Sequence, residues 1–481
     1  MTINSDMPLF DALRKYTDMK FLPFHMPGHM GGSVFPADFG KLMIDFDHTE
    51  LPDLDNLYSP CGAIERAQKK AAIAFGADRT FFLVNGSTAG IHAMIAGSLK
   101  MGDKLIIPRN CHRSVIAAMA LWDIQPIYIR NEYSEEHALV LPITPEQVLQ
   151  AFKCNPDASG ILLVNPDYYG VCGYLAEIGK IAHDCGKLLL VDEAHGAHLT
   201  FHKDLPTSAA YADADIWVQS AHKTLPALTQ TALLHIKGNR VDPDRVLRML
   251  SLFQSSSPSY MLMASLDWAR WFMEAYGYKR LDEVINSIKT VTLELKKRWG
   301  IKTICDYELK RHICATDPTR LCLDLSSRSI SGYEALIKLR DQKVEPEMAD
   351  FHRLVFISTV AHDANAFKIL LDKLDLMLEF SDVSKPLPDF PVLYGSLPVQ
   401  IMSPRQTFNS IIENIPLKLC EDRVCGQAIG AYPPGIPRFN PGELFDREGL
   451  EELLAIKSLG GNLFGLIGDG LVSVVKRGKD G

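Results

Sequence analysis

The chain has 481 residues, 47% of them hydrophobic and 22% charged, with a formal net charge of −8. That length exceeds one ordinary core and predicts two or three domains, and the balance of residues is that of a soluble globular protein. The acidic excess excludes a basic field for nucleic acid or an anionic membrane, the first residues form no basic-then-apolar leader, and ten cysteines standing singly, with no CxxC, exclude a zinc or disulfide framework and fit reduced thiols in a cytoplasmic enzyme.

From about 75 to 235, short β-rich runs alternate with helix-length amphipathic stretches. The predicted strands are 80–84 (TFFLV), 104–108 (KLIIP), 126–129 (PIYI), 160–164 (GILLV), 187–192 (KLLLVD), 216–220 (IWVQS) and 231–236 (TALLHI). Continuous apolar strands separated by helices predict a mostly parallel sheet covered on both faces, in an α/β domain whose ligands sit at the carboxyl ends of the strands. The pattern then predicts a long helical stretch over 260–298. A smaller α/β unit follows, with strands at 321–326 and 353–359, a helix around GYEALIKLRDQ and another at 364–380. The proline-rich run 384–393 predicts a linker. The expected division is an arm over 1–20, a large domain over 21–298, a small α/β domain over 299–385 and a C-terminal domain over 386–481.

Four strand ends carry chemistry. After the first strand, Asn85-Gly86-Ser87-Thr88-Ala89-Gly90 opens a helix. Backbone N–H groups at a helix start, with small residues allowing close approach and hydroxyls adding donors, bind phosphate, although Ser and Thr are also ordinary caps. After the second, Pro108-Arg109-Asn110-Cys111-His112 offers an imidazole to stack on a flat ring or move a proton; a lone loop histidine is more often structural. The run Val191-Asp192-Glu193-Ala194-His195-Gly196-Ala197-His198 ends a buried strand in an acid, which is costly unless a cation meets it. A protonated pyridine nitrogen is such a cation. A metal is the alternative, but the order does not match the zinc pattern HExxH. Finally, Ser220-Ala221-His222-Lys223-Thr224 places a lysine just past a buried strand. Desolvation there lowers its pKa and makes it a nucleophile toward an aldehyde. Each segment alone has a bland reading; together they describe one site for an aldehyde, a ring and a phosphate.

At this point the sequence resembles the ornithine/lysine/arginine decarboxylase family of fold-type I pyridoxal 5′-phosphate (PLP) enzymes. The matching pieces are FHMPGHMGG (24–32), LPDLDNLYSP (51–60), FGADRTFFLVNGSTAG (75–90), PRNCHRSV (108–115), VDEAHGAH (191–198), QSAHKTLPALTQTALLH (219–235) and YPPGIPRFNPGE (432–443). The resemblance implies that Lys223 tethers the cofactor, Asp192 faces its ring nitrogen and His112 stacks on the ring. Ala194 and His195 would lie beneath it, with Ser87, Thr88, Ser220 and His222 on the phosphate side. It also implies a homodimer or larger assembly with the site at the subunit interface, and Ser256, in the run 255–260, reaching the partner's phosphate pocket. The short run before FLPFHMPGH implies a form without the family's N-terminal wing.

The implied reaction is decarboxylation of a basic amino acid, arginine ahead of lysine or ornithine, to a polyamine precursor and CO2, with Lys223 or His222 returning a proton. A cationic substrate end calls for acids, and Asp53, Asp55 and Glu443 are the candidates. Two departures stand out: Met30, where many short members carry lysine, and Arg438, where an apolar residue is usual. Arg438 reads either as a surface residue or as a grip for a carboxylate. The second role would favour a PLP aminotransferase or oxidase-type enzyme, and a non-catalytic paralogue is the remaining alternative.

Overall fold

The computed structural model describes residues 7–51, 53–379, 381, 396–432, 435–468 and 470–477. The predicted linker at 384–393 lies outside them, as do Pro52, Pro433 and Pro434. The central sheet has seven strands: β1 (Arg79–Leu83), β2 (Lys104–Pro108), β3 (Gln125–Ile129), β4 (Ala158–Val164), β5 (Leu188–Asp192), β6 (Ile216–Gln219) and β7 (Ala232–Ile236), in the order β1-β7-β6-β5-β4-β2-β3. All lie where the apolar runs predict them. Each strand alternates between two buried layers: Leu190 faces the helices Gly86–Ser98 and Arg113–Trp122, whereas Leu189 and Val191 face Pro145–Cys154 and Leu175–Asp184. Burial on both faces is why these strands read as apolar runs rather than as alternation.

The sheet departs from a purely parallel arrangement at β7, which is antiparallel to both β6 and β1. The connection from Gln219 to Ala232 holds only one turn of helix, Ala221–Thr224. A parallel return usually carries a helix long enough to cross the face of the sheet, and a single turn is too short for that, so the chain doubles back. The turn that carries Lys223 is therefore the tip of an antiparallel connection.

The long helix at 260–298 exists as Tyr260–Phe272, a π-turn at Met273–Gly277 and Tyr278–Trp299. Its last part leaves the large core: Val284, Ile288, Val291 and Leu295 pack with Leu321, Leu323, Leu354, Phe356 and Phe367 in a second core. Phe24 belongs there too, because Leu22–Phe24 pairs in parallel with Val344–Pro346. The next residues bridge this second core and the large domain. Met26 N donates to Glu347 Oε2 at 2.9 Å, Gly28 N donates to the His222 carbonyl at 2.8 Å, and Thr359 Oγ1 donates to the Gly28 carbonyl at 2.7 Å. This strap accounts for the motif FHMPGHMGG. A Cβ on Gly28 would lie 2.7 Å from the Leu225 carbonyl oxygen, so only glycine allows so close an approach to the lysine turn. Met30 packs against the second core.

A third core, built on Cys425, Ile429, Phe439, Phe445, Leu453 and Val474, forms the C-terminal unit. Its tie to the large domain is a buried ion pair. Arg109, directly after β2, meets both carboxylate oxygens of Glu443, and their side chains are 4% and 1% exposed.

Candidate active site

The carboxyl ends of β1, β2, β4, β5 and β6 open onto one cavity lined by Ser87, His112, Asp192, Ala194, His195 and Lys223. The small unit supplies Tyr333, Asp350, Phe351, His352 and Arg353, and the C-terminal unit supplies Ala431, Gly435 and Ile436. Thus six of the sequence-derived site residues share one space. Ser220 stands just behind, its Oγ donating to Ser87 Oγ at 3.0 Å. His222, Thr88 and Ser256 do not line the cavity. The His222 ring donates from Nδ1 to the Thr231 carbonyl at 2.8 Å, while Thr88 and Ser256 are exposed.

The geometry follows from each local sequence. The helix Gly86–Ser98 starts at Asn85 with no side-chain cap, so its first N–H groups remain available beside Ser87 and Ser220. The helix can press onto the sheet because Gly90 has no side chain: a Cβ there would meet Leu83 at 2.6 Å and Val218 at 2.7 Å. His112 is itself a cap. Its Nδ1 accepts from Ser114 N at 3.2 Å and contacts Ser114 Oγ at 2.7 Å, which fixes the ring plane. Burial lowers its pKa against the pull of Asp192, so the ring is neutral and suited to stacking.

Asp192, 3% exposed, accepts from Ala194 N at 3.1 Å. Among the described residues no cation stands within ion-pair distance of it. A buried carboxylate without a cation calls for one from outside the chain. Lys223 has its pKa lowered to about 8, chiefly by burial, with Asp192 opposing and Arg320 adding to the effect. Its Nζ lies 3.0 Å from His195 Nε2. Glu193, the neighbour of Asp192, turns away and accepts from Ser208 Oγ, Ala209 N and Gln219 Nε2. The described residues hold no cluster of three or more metal-ligating side chains, and the run DEAHGAH does not form one.

Two expectations are corrected here. Arg438 is neither a surface residue nor free for a carboxylate. It is 1% exposed, donates from Nε to Glu452 at 2.7 Å and stacks on Phe439. The proposed acids for a substrate cation are also committed elsewhere: Glu443 to Arg109 and Asn440 N, and Asp55 to the backbone N–H groups of Asn56, Cys61, Gly62 and Glu65. Asp53 is exposed and does not line the cavity.

Sequence reasoning passed over the loop Asn165-Pro166-Asp167-Tyr168-Tyr169-Gly170 after β4, although it obeys the same strand-end rule. Tyr168 tilts over His195 with ring centroids 4.7 Å apart and donates to Glu347. Tyr169 donates to Asp350 Oδ2 at 2.8 Å. Burial pushes the Asp167 carboxyl up to about 6. Arg320 and Glu347, from the small unit, had no local signal.

Residues 7–315 match the family model described as Orn/Lys/Arg decarboxylase, major domain, and residues 391–465 match its C-terminal domain. An arginine decarboxylase of Bacillus subtilis is 35% identical over 452 residues, covering 92% of each chain. One from Bacillus anthracis is 33% identical, covering 93% of this chain and 92% of its own. A solved lysine decarboxylase of Francisella novicida superposes with a TM-score of 0.79 at 20% identity, covering 97% of this chain and 83% of its own. The fold is thus that of fold-type I enzymes. No helix of the described residues is long and apolar enough to cross a membrane.

Proposed function

We propose that this chain, which belongs to the ornithine/lysine/arginine decarboxylase family, removes the carboxyl group of arginine with pyridoxal 5′-phosphate held on Lys223. Decarboxylation of a basic amino acid is the family's chemistry and the chain's; arginine, the cofactor and the residue roles are the inference. One observation carries it. A buried lysine of lowered pKa, a buried acid without a cation and an uncapped helix start meet in one cavity.

The residues fit that cofactor. Ser87, Ser220 and the helix start suit its phosphate, neutral His112 the face of its ring, Asp192 its ring nitrogen and Lys223 its aldehyde. When bound, the cofactor supplies an electron sink for the carbon that loses CO2. The protein supplies the rest. Asp192 holds a proton on the ring nitrogen, and the rigid cap of His112 keeps the ring in register. The walls would orient the scissile bond, and Lys223, the amine that lines the cavity, would return a proton to the reacting carbon. His222, its ring engaged by Thr231, serves the lysine turn rather than this transfer.

Arginine is favoured by the names of the Bacillus relatives and by the far wall of the cavity. Tyr133, Tyr169, Tyr333 and Phe351 line that wall. Asp350 is already engaged by Arg353, Tyr169 and two backbone N–H groups. Flat aromatic faces favour a planar guanidinium over an ammonium. The domain division given by the sequence, a cytoplasmic location and a homodimer with exposed Ser256 at the partner's phosphate site complete the reading.

Product analysis with arginine, lysine and ornithine tests it. Agmatine and CO2 from arginine are expected; a keto acid would overturn the reaction class. Lys223→Ala should abolish turnover, and normal turnover in that variant would overturn the site.

A further inference from the structure

Lys223 is one end of a polar chain. Its Nζ lies 3.0 Å from His195 Nε2, and His195 Nδ1 lies 3.3 Å from Arg320 NH2. Arg320 starts the strand Arg320–Asp324 of the small unit, and it is 4% exposed. The other arginines buried to that degree each meet a carboxylate: Arg109 has Glu443, Arg270 has Asp267, Arg353 has Asp350 and Arg438 has Glu452. Among the described residues no carboxylate stands within ion-pair distance of Arg320, although its charge reaches the buried Asp167 and Asp317 from further off, and its NH1 has no hydrogen-bond partner. A buried guanidinium without a direct carboxylate contact is costly and is retained where its charge serves a site.

A guanidinium has only donors. Nδ1 of His195 must therefore accept, which places the ring proton on Nε2. That N–H points at Nζ, and it can be received only by a lone pair. We propose that Arg320, acting through His195, is a positioning residue that holds Lys223 as a free amine, ready to attack an aldehyde and able to take up and return a proton. Without Arg320, the imidazole can carry its proton on Nδ1 and accept from a lysine ammonium instead, which favours the charged, unreactive form. Other groups act on the same amine: Asp192 and Glu347 favour its charge, whereas burial and Arg320 oppose it. His195 is kept neutral chiefly by burial, with the Arg320 charge adding to the effect, and Tyr168 covers its face.

The inference rests on the reading that Lys223 carries the aldehyde, and the test separates the two. Full-length chain freed of cofactor is mixed with pyridoxal 5′-phosphate from pH 6 to 10 and quenched with borohydride. The Nζ lone pair attacks the aldehyde carbon, the oxygen leaves as water with both amine hydrogens, and hydride fixes the C=N bond. Mass spectrometry then locates and counts the label. In the parent chain, label on Lys223 should rise with a midpoint near the free-amine transition. Arg320→Met and His195→Phe should each move that midpoint up by about one pH unit, about tenfold slower capture at pH 7, the size of one charge-assisted contact. His195→Gln should keep the midpoint, because its carbonyl accepts from Arg320 while its amide donates to Lys223. Label elsewhere in the parent would overturn the reading of the site. Label on Lys223 with an unmoved midpoint in His195→Phe would overturn the relay, including the case in which Arg320→Met alone shifts it, since charge without the imidazole would then suffice.

Discussion

Replacing Glu443 by Gln should loosen the C-terminal unit from the wall of the active site. Glu443 takes NH1 of Arg109 on one oxygen; on the other it takes NH2 at 3.1 Å and Asn440 N at 2.7 Å. Every partner is a donor. A glutamine amide turned either way must present its NH2 group to one of them, and the Arg109 charge loses its carboxylate while still buried. Burial pushes the Glu443 carboxyl up and Arg109 pulls it back, which marks how strongly the pair depends on itself. Removing one partner of such a pair costs about 3–5 kcal/mol, whereas replacing both with apolar side chains of similar volume is close to neutral. Native-state proteolysis across a urea series reads this as the free energy for opening the C-terminal unit. Glu443→Gln should speed its cleavage by about two to three and a half orders of magnitude (tenfold per 1.4 kcal/mol). Arg109→Met with Glu443→Leu should recover most of the loss. A single variant within about 1 kcal/mol of the parent, or a double variant as weak as the sum of the singles, would refute the argument.

Gly28→Ala forces a methyl against the Leu225 carbonyl; a loss of about 1–3 kcal/mol in urea unfolding is expected, with slower cofactor capture at Lys223. Unchanged capture would detach the strap from the site. Asp55→Ala removes an acceptor of four backbone N–H groups, a loss of about 1–2 kcal/mol. Burial raises the Asp55 pKa, but those N–H groups outweigh it and bring it from 3.8 down to about 2. Its contribution is therefore complete above pH 4 and fades as pH falls toward 2, so the gap between parent and variant should close over that range in acid titrations followed by circular dichroism. Arg438→Met leaves Glu452 buried without its arginine. A lower melting temperature is expected, with kcat/KM for arginine below melting kept within about threefold; a large rise in KM alone would return Arg438 to the substrate.

The sheet was legible because β1 to β7 are buried on both sides, so each strand is a run of apolar residues bounded by polar turns. The cavity was legible for the same reason: Asp192 and Lys223 interrupt such runs at their carboxyl ends, and the conjunction of the two, rather than either alone, pointed to one shared space. Contacts decided across the chain were illegible. Glu443 read as one of three candidate substrate acids because nothing near it in sequence announces Arg109, and Arg438 read as a surface residue or a carboxylate grip because Glu452 is hidden in a later helix. His195 was placed beneath a ring by resemblance alone; its link to Arg320 depends on a strand of another unit. The antiparallel β7 goes with a connection that holds only one turn of helix, which apolar pattern does not weigh.

The strap from Leu22 to Gly28 also sets an order of events at the ribosome. The segment is made well before its strand partner, Val344–Pro346, and 321 residues separate Met26 from Glu347. At about 5–20 residues per second that gap is on the order of half a minute, during which an unpaired edge and the exposed Phe24 travel with a nascent large domain. The lysine turn is thus finished only after the small unit has emerged.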